Sequence, residues 1–178
     1  MTTLPLRIAT QADARALAEL HVASWRESYT DILPKRMLSR LSVRRRASTW
    51  AQILADRTNG AEVFVAVDEG RFVAFGASCP QRDPELTAAG FDGEFSAIYV
   101  LRSHQRKGIG RQIMRVLAQV LLEAGRRGAA LWVLAENGGA RRFYEGLGGE
   151  LLKERTERRP YGTLEEVAYG WTDLSRFS

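Results

Sequence analysis

The sequence is poor in the residues that form disulfides and metal centres. Its 178 residues include one cysteine and two histidines. A single cysteine, Cys79, excludes an intramolecular disulfide. His21 and His104 are the two histidines, and they offer no spacing typical of a metal site, so we expect no bound metal.

Long apolar runs are also missing. No stretch approaches the ~20 apolar residues that a membrane-spanning helix needs. Residues 1–10 lack the charged segment and apolar core of a secretory signal. These absences predict a cytoplasmic protein that does not bind a membrane.

The composition is that of a folded domain with a modest positive charge. Hydrophobic residues make up 45% of the chain and the net charge is +5. We expect one domain over residues 1–178, because this length suits a single hydrophobic core. The basic residues are scattered in short clusters, and the chain lacks a recognition helix or an aromatic-basic platform. We therefore expect no nucleic-acid partner, although charge alone would allow one.

Hydrophobic periodicity predicts alternating helices and strands over the whole chain. The predicted strands cover residues 6–9, a hairpin over 62–78, then 94–101, 129–135, 150–157 and 164–172. The predicted helices begin near residues 10, 35, 42, 108 and 137. The apolar strand at 129–135 suits a position covered on both faces, so residues 94–135 predict a parallel βαβ unit. The two closing strands are joined through residues 160–162.

The most informative stretch is residues 94–111, EFSAIYVLRSHQRKGIGR. Its first half has the aromatic and branched residues of a buried strand. Its second half places Arg106 and Lys107 before Gly108 and Gly110, where helical periodicity begins. A strand, a glycine-rich turn and a helix start together form an anion cradle, although an unliganded turn can share the pattern. A Walker loop would need a GKS or GKT ending, which is missing. A dinucleotide-binding turn would need a third glycine and an acidic residue about 20 residues later, in a different βαβ setting.

A second motif follows at the expected distance. It reads Asn137-x-x-Ala140-x-x-Phe143-Tyr144-x-x-Leu147-Gly148. Together with Gln105-x-x-Gly108-x-Gly110 and the strand before it, this motif resembles the GNAT superfamily of N-acetyltransferases. The resemblance extends over nearly the whole chain. It implies an α/β (α+β) fold: a mixed, mostly antiparallel twisted sheet with a central parallel β-α-β pair and helices on both faces.

The resemblance also implies acetyl-CoA as cosubstrate. Free backbone groups on the strand at 98–100 would pair with the pantetheine arm, and N–H groups of the glycine-rich loop would hold the pyrophosphate. Asn137 would contact the pantetheine arm, although an asparagine there also suits a helix N-cap. The cofactor-binding residues implied in this way are Ile98, Tyr99, Val100, Gln105, Arg106, Lys107, Gly108, Ile109, Gly110, Arg111, Asn137 and Tyr144.

Acetyl transfer requires two proton movements, and the resemblance suggests a residue for each. Tyr144 matches the family position of the acid that protonates the departing thiolate; otherwise it is a packing residue beside Phe143. Glu94 matches a carboxylate that deprotonates the attacking amine through water. Glu94 could instead be a surface residue at a strand start, with solvent as the base.

The acceptor is the least defined part. Trp25 and Tyr29 lie where relatives build the acceptor pocket, although Trp25 could equally belong to the core. The amino-terminal part also resembles a bacterial subgroup that includes polyamine acetyltransferases. We therefore expect the acceptor to be the primary amine of a small polyamine-like or amino-acid-like molecule. The alternatives are a non-catalytic CoA-binding module and an acetyltransferase that acts on protein N-termini or lysines. Relatives are often dimers, so a homodimer is compatible with the sequence, but no interface can be identified.

Overall fold

The structure, a computed structural model, describes residues 4–159 and 162–177. The strands are β1 (Leu6–Ile8), β2 (Glu62–Asp68), β3 (Arg71–Pro80), β4 (Gly93–Val100), β5 (Ala129–Leu134), β6 (Glu150–Arg159) and β7 (Gly162–Trp171). The helices are α1 (Ala14–Tyr29), α2 (Lys35–Leu38), α3 (Val43–Ala55), α4 (Pro84–Ala88), α5 (Ile109–Glu123) and α6 (Gly138–Gly146). The predicted link between the closing strands passes through Pro160 and Tyr161, which lie outside the described residues.

The strands form one seven-stranded sheet in the order β1-β2-β3-β4-β5-β7-β6. Neighbouring strands are antiparallel except β4 and β5, which are parallel and are joined through α5. This is the predicted βαβ unit at the centre of the sheet. The fold class predicted from the sequence is therefore confirmed.

Helix α5 covers one face of the sheet. Its buried residues Ile113, Met114 and Leu117 recur at helical spacing and pack on Phe95 and the neighbouring strands. Gly76 on β3 permits this close approach, because a Cβ there would lie 2.2 Å from Ile113 Cγ2. The position of α5 matters for the site, because its first turn follows directly on the loop after β4.

Helices α1 and α3 cover the opposite face. Leu17 and Trp50 pack there on Val65 and Phe75 of the hairpin strands. Ser42 caps α3 as predicted, since its hydroxyl accepts a hydrogen bond from the N–H of Arg45 at 3.3 Å. The sheet is thus enclosed by helices on both faces.

The differences from the predicted elements are small. The predicted helices begin within four residues of their expected positions, and the short helix α4 is additional. Strand β6 runs on to Arg159 because it stays paired with β7 up to Gly162. Among residues 4–159 and 162–177, no helix is long and apolar enough to cross a membrane.

Candidate active site

The central parallel strands separate and leave a gap in the sheet. β4 and β5 pair only at Gly93–Ala129 and Glu94–Ala130, although β4 continues beside β3 and β5 continues beside β7. A cavity of about 1070 Å³ lies in this gap and is lined by residues of both strands. From Phe95 onward, the β5-facing edge of β4 therefore has no described strand beside it. Such an edge can pair with an extended ligand as another strand would.

A β-bulge on β4 explains the separation. Ser78 is opposite Phe95 and Ala77 is opposite Ala97, so Ser96 is an extra residue on β4. A bulge bends its strand and increases the local twist. It also sets the faces: Phe95 and Ile98 share the α5 face, whereas Ala97 and Tyr99 share the face of α1.

The loop after β4 delivers free N–H groups to one end of the cavity. The first backbone bond of α5 runs from the N–H of Gln112 to the carbonyl of Gly108 at 3.0 Å. The preceding N–H groups of Ile109, Gly110 and Arg111 have no acceptor among the described residues. Free N–H groups and the positive end of the helix dipole favour an anion at this point.

The two glycines of this loop have different roles. Gly108 has a φ of 85°, and a Cβ there would meet nothing within 4 Å, so its conformation alone favours glycine. Gly110 has no such φ; a Cβ there would lie 3.1 Å from the Phe143 ring. The conformational freedom of glycine is therefore required at Gly108 only, and Gly110 instead lets α5 approach α6.

The side chains of the loop are divided between the cavity and the protein body. Arg106 and Arg111 line the cavity. The Gln105 side chain also lines it and donates to the carbonyl of Val100 at 3.0 Å, which fixes the loop to the strand end. Ile109 is buried in the core and Lys107 is exposed outside the cavity lining. Only the backbones of these two residues can therefore contribute to the cradle.

Tyr144 lies on α6 and lines the cavity. The residue is buried, and its ring packs 6.2 Å from the ring centroid of Trp171. Its hydroxyl has no hydrogen-bond partner in the described part of the chain. Burial raises the pKa of Tyr144, and nearby Tyr29 raises it further. The hydroxyl is therefore held as a proton donor at neutral pH.

Tyr29 and Tyr99 meet on the α1 side of the cavity. Their hydroxyl oxygens are 3.3 Å apart. Burial raises the pKa of both hydroxyls, strongly for Tyr99, so both stay protonated. The Tyr99 ring stacks on Phe75, with centroids 5.4 Å apart. The side chain of Tyr99 thus forms part of the cavity wall, whereas the sequence indicated a role for its backbone only.

His21 supports this aromatic wall from behind. Its ring centroid is 5.2 Å from that of Tyr99, and its Nδ1 accepts from the indole N–H of Trp50 at 3.2 Å. Burial lowers the pKa of His21 to about 3, and the charge of Arg46 acts in the same direction. His21 is therefore a neutral residue of the wall.

Glu94 is a buried carboxylate at the point where β4 and β5 separate. Its residue is 5% exposed, so the interpretation as a surface residue is wrong. Arg82 covers it: Arg82 Nε donates to Glu94 Oε2 at 2.9 Å, Nη2 donates to Oε1, and the backbone N–H of Arg82 lies 3.2 Å from Oε2. This pairing raises the pKa of Arg82. Glu94 lines the cavity, but Arg82 stands between it and the solvent.

Asn137 and Trp25 complete the lining. The Asn137 side chain accepts from the N–H of Ala140 at 3.1 Å, so it is the N-cap of α6. Trp25 packs edge-on against Tyr29, with centroids 5.1 Å apart, and both line the cavity. The structure therefore brings the predicted donor-side and acceptor-side residues to one cavity, except Lys107 and Ile109, which do not line it.

A comparison with protein families identifies the chain. The family model described as the acetyltransferase (GNAT) family matches residues 14–148, which is most of the chain. The chain belongs to the GNAT family of acetyltransferases. The matched region begins at α1 and ends after α6, so it includes the gap and the elements around it.

The similarity to other proteins extends over nearly the whole length of this acetyltransferase. YuaI of Bacillus subtilis (strain 168), an uncharacterized N-acetyltransferase, is 33% identical over 96% of this chain and 94% of its own length. The PaiA N-acetyltransferase of Thermoplasma acidophilum, solved in complex with coenzyme A, has a TM-score of 0.71 at 16% identity and covers 93% of this chain and 98% of its own. The yncA protein of Salmonella typhimurium, solved with its cofactor acetyl-CoA, has a TM-score of 0.69 at 17% identity, with coverage of 97% and 95%. The two solved structures share the fold.

Sequence reasoning missed several cavity residues of this acetyltransferase. Arg82 comes from the loop before α4, where no local pattern marks it. Arg155 and Glu166 form an ion pair on β6 and β7, with Arg155 Nε 2.8 Å from Glu166 Oε2. No alternation marks Arg155 either, because six of the seven residues from Lys153 to Arg159 are charged, on both faces of β6.

Proposed function

We propose that this acetyltransferase transfers the acetyl group of acetyl-CoA to a primary amine of a small molecule, by direct attack while both substrates are bound. The observation that carries the proposal is the unpaired edge of β4, which leads into the free N–H groups at the start of α5. The extended pantetheine arm of acetyl-CoA could pair with the strand edge, and its pyrophosphate could bind the adjacent N–H groups. The acetyl-CoA and coenzyme A found in the yncA and PaiA structures support this choice of donor.

The donor would be held mainly by backbone groups. N–H groups from Arg106 to Arg111 would bind the pyrophosphate, with the guanidiniums of Arg106 and Arg111 adding charge. Backbone groups of Ile98, Tyr99 and Val100 would pair with the amides of the pantetheine arm. The amide N–H₂ of Asn137 would contact the same arm, because its capping bond uses the side-chain oxygen; the Tyr29 hydroxyl is a competing partner for that amide.

An N–H group on the bulged strand would stabilise the transition state. When the amine attacks, negative charge develops on the thioester oxygen. The N–H of Ile98 or Tyr99 would donate to that oxygen, and removal of one such donor typically lowers the rate by ~10²–10³. The bulge at Ser96 supports this role, because it turns the following backbone away from β5.

Tyr144 would protonate the departing thiolate. Its hydroxyl is protonated at neutral pH, because burial raises its pKa, and it has no partner in the described ranges that would hold the proton elsewhere. The raised pKa keeps the proton on the hydroxyl, but it also widens the gap to a thiol of ordinary pKa ~8.5, so the proton would move as the C–S bond breaks rather than before it. Tyr144 would thereby prevent the thiolate from attacking the product amide.

Glu94 would accept the proton of the incoming amine, through a water molecule. It is the carboxylate located at the opening of the gap, and it lines the cavity. Its bonds to Arg82 orient it, but Arg82 must leave room for the water. Deprotonation by solvent is the competing route, and the pH dependence of a Glu94 variant separates the two.

The wider proposal is one acetyltransferase domain over residues 1–178 that acts in the cytoplasm, without a nucleic-acid or membrane partner. The extent of the family match and of the YuaI match supports the domain. The test is calorimetry with CoA and acetyl-CoA, followed by thiol release with putrescine, spermidine, L-lysine, L-phenylalanine and phenethylamine. We expect saturable donor binding and amine-dependent thiol release. A folded protein that gives no heat with either donor would overturn the proposal.

A further inference from the structure

The acceptor side of the cavity can be assigned from the strand registers. Opposed residues of an antiparallel pair point to the same face. Arg155 is opposite Glu166, and Glu166 is in turn opposite Leu134 on β5. Leu134 packs with Tyr29 and Leu33, on the face away from α5. Arg155 and Glu166 therefore lie on the face that the donor loop leaves open for an acceptor.

Three ion pairs line this side, and in each the carboxylate is the more deeply buried partner. The Arg82 side chain is 70% exposed over Glu94 at 7%, and Arg155 is 39% exposed over Glu166 at 14%. Arg159 is 52% exposed over Glu157 at 31%. All six residues line the cavity. The surface offered to an incoming molecule is consequently made of guanidinium groups rather than carboxylates.

Each carboxylate of the described cavity lining is already engaged. Besides the three paired ones, Glu27 accepts from the backbone N–H of Arg102 at 2.8 Å. The guanidiniums, in contrast, keep N–H groups to spare, because one carboxylate cannot occupy all the donors of an arginine. Arg155 is also fixed in place, since its Cζ lies 3.9 Å from the centroid of the Trp132 ring. An anionic ligand finds fixed donors here, whereas an ammonium group finds carboxylates that already accept hydrogen bonds, Glu27, Glu157 and Glu166 through one oxygen each.

We infer that the acceptor carries a carboxylate beside its amine, as an amino acid does, and that Arg155 with Arg82 and Arg159 binds that carboxylate. The inference rests on the proposed function and narrows its acceptor class. The exposed cations also favour the neutral form of a nearby amine, which is the form that attacks the thioester. A polyamine, with several ammonium groups and no anion, is disfavoured by the same charges.

The test compares acceptors that differ only in the carboxylate. Thiol release from acetyl-CoA is measured with L-phenylalanine against phenethylamine, L-ornithine against putrescine, and L-lysine against cadaverine. We expect the amino acid of at least one pair to have a kcat/KM roughly tenfold or more above its decarboxylated amine, the usual effect of a charge-assisted hydrogen bond. This comparison uses the unaltered protein, so it does not depend on the folding of any variant.

Two variants then test the residue assignment. Arg155→Gln should reduce or reverse the preference for the amino acid, because it removes a donor and uncovers Glu166. Arg158→Gln is the matched control: Arg158 is exposed on the same strand and does not line the cavity. We expect Arg158→Gln to keep the preference.

The outcomes separate this inference from the proposed function. Equal or better turnover of the decarboxylated amines would overturn the inference and leave the acetyltransferase proposal intact. An unchanged preference in Arg155→Gln would overturn the assignment of the carboxylate to this arginine. No turnover of any acceptor, despite bound acetyl-CoA, would overturn the inference together with the transfer to small amines.

Discussion

Replacing Tyr144 by phenylalanine removes one hydroxyl and keeps the ring that packs on Trp171. The hydroxyl has no partner in the described structure, so its loss leaves no donor or acceptor unsatisfied. We therefore expect the free energy of unfolding to change by less than ~1 kcal/mol. The thiolate, however, loses its acid, and general acids typically contribute ~10²–10⁴ in rate. We expect kcat to fall by about 100-fold, which corresponds to about 2.7 kcal/mol of activation free energy.

The assay is thiol release from acetyl-CoA with the best acceptor, together with calorimetry of acetyl-CoA binding and urea unfolding. Tyr169→Phe is the matched control, because its ring centroid is 6.2 Å from that of Tyr144 but the residue does not line the cavity. The Tyr169 hydroxyl accepts from Arg141 Nε at 3.1 Å and donates to Glu145. We expect Tyr169→Phe to lose roughly 1 kcal/mol of stability with kcat retained. An undiminished kcat in Tyr144→Phe, with acetyl-CoA still bound, would refute the acid role.

Three further predictions follow from particular contacts. Glu94→Gln should abolish the acidic limb of the kcat/KM pH profile; an unchanged limb would assign the base role to solvent. Gly76→Ala should destabilise the fold by ~1–3 kcal/mol in urea unfolding, because its Cβ would lie 2.2 Å from Ile113 Cγ2. Gly146→Ala, where a Cβ meets nothing within 4 Å, is its control, and equal midpoints would contradict the packing argument. The fold should also lose stability in acid through His21, whose folded pKa of about 3 is below its ordinary 6.5.

The sign and size of the His21 effect follow from linkage. Above pH 6.5, His21 is neutral in both the folded and unfolded chains; as the pH falls, only the unfolded chain binds the proton, until the pH reaches about 3. At pH 4 this amounts to about 3 kcal/mol of lost stability. Urea unfolding at pH 7 and pH 4 should show a smaller loss for His21→Gln than for the unaltered chain. Equal losses would mean that His21 is not held neutral by burial.

Local sequence patterns predicted most of the fold. The helical repeat of Ile113 and Leu117, the hairpin turn near Gly70 and the apolar run of β5 each act within one element, so they can be recognised without tertiary contacts. The loop that is proposed to hold the donor could be recognised for the same reason. A glycine-rich turn between a strand and a helix is one continuous segment, and its backbone alone makes the cradle.

The acceptor end could not be predicted in this way. Arg82 covers Glu94 from 12 positions away in the sequence, and Arg155 on β6 pairs with Glu166 on the neighbouring strand β7. Which partner of each pair is buried depends on how the strands, loops and helices pack, and a residue's neighbours in sequence do not record that. Likewise, the shared surface of Tyr29 and Tyr99 forms only when α1 packs beside β4.

The sequence by itself determined the order of helices and strands, the family resemblance and the backbone cradle, because these depend on periodicity and on contiguous residues. The tertiary structure alone decided where β4 leaves β5, which face each β4 side chain occupies after the bulge at Ser96, and which charges face the cavity. These features depend on strand register and on the relative burial of paired charges. Both are properties of segments that are distant in the chain and adjacent in space.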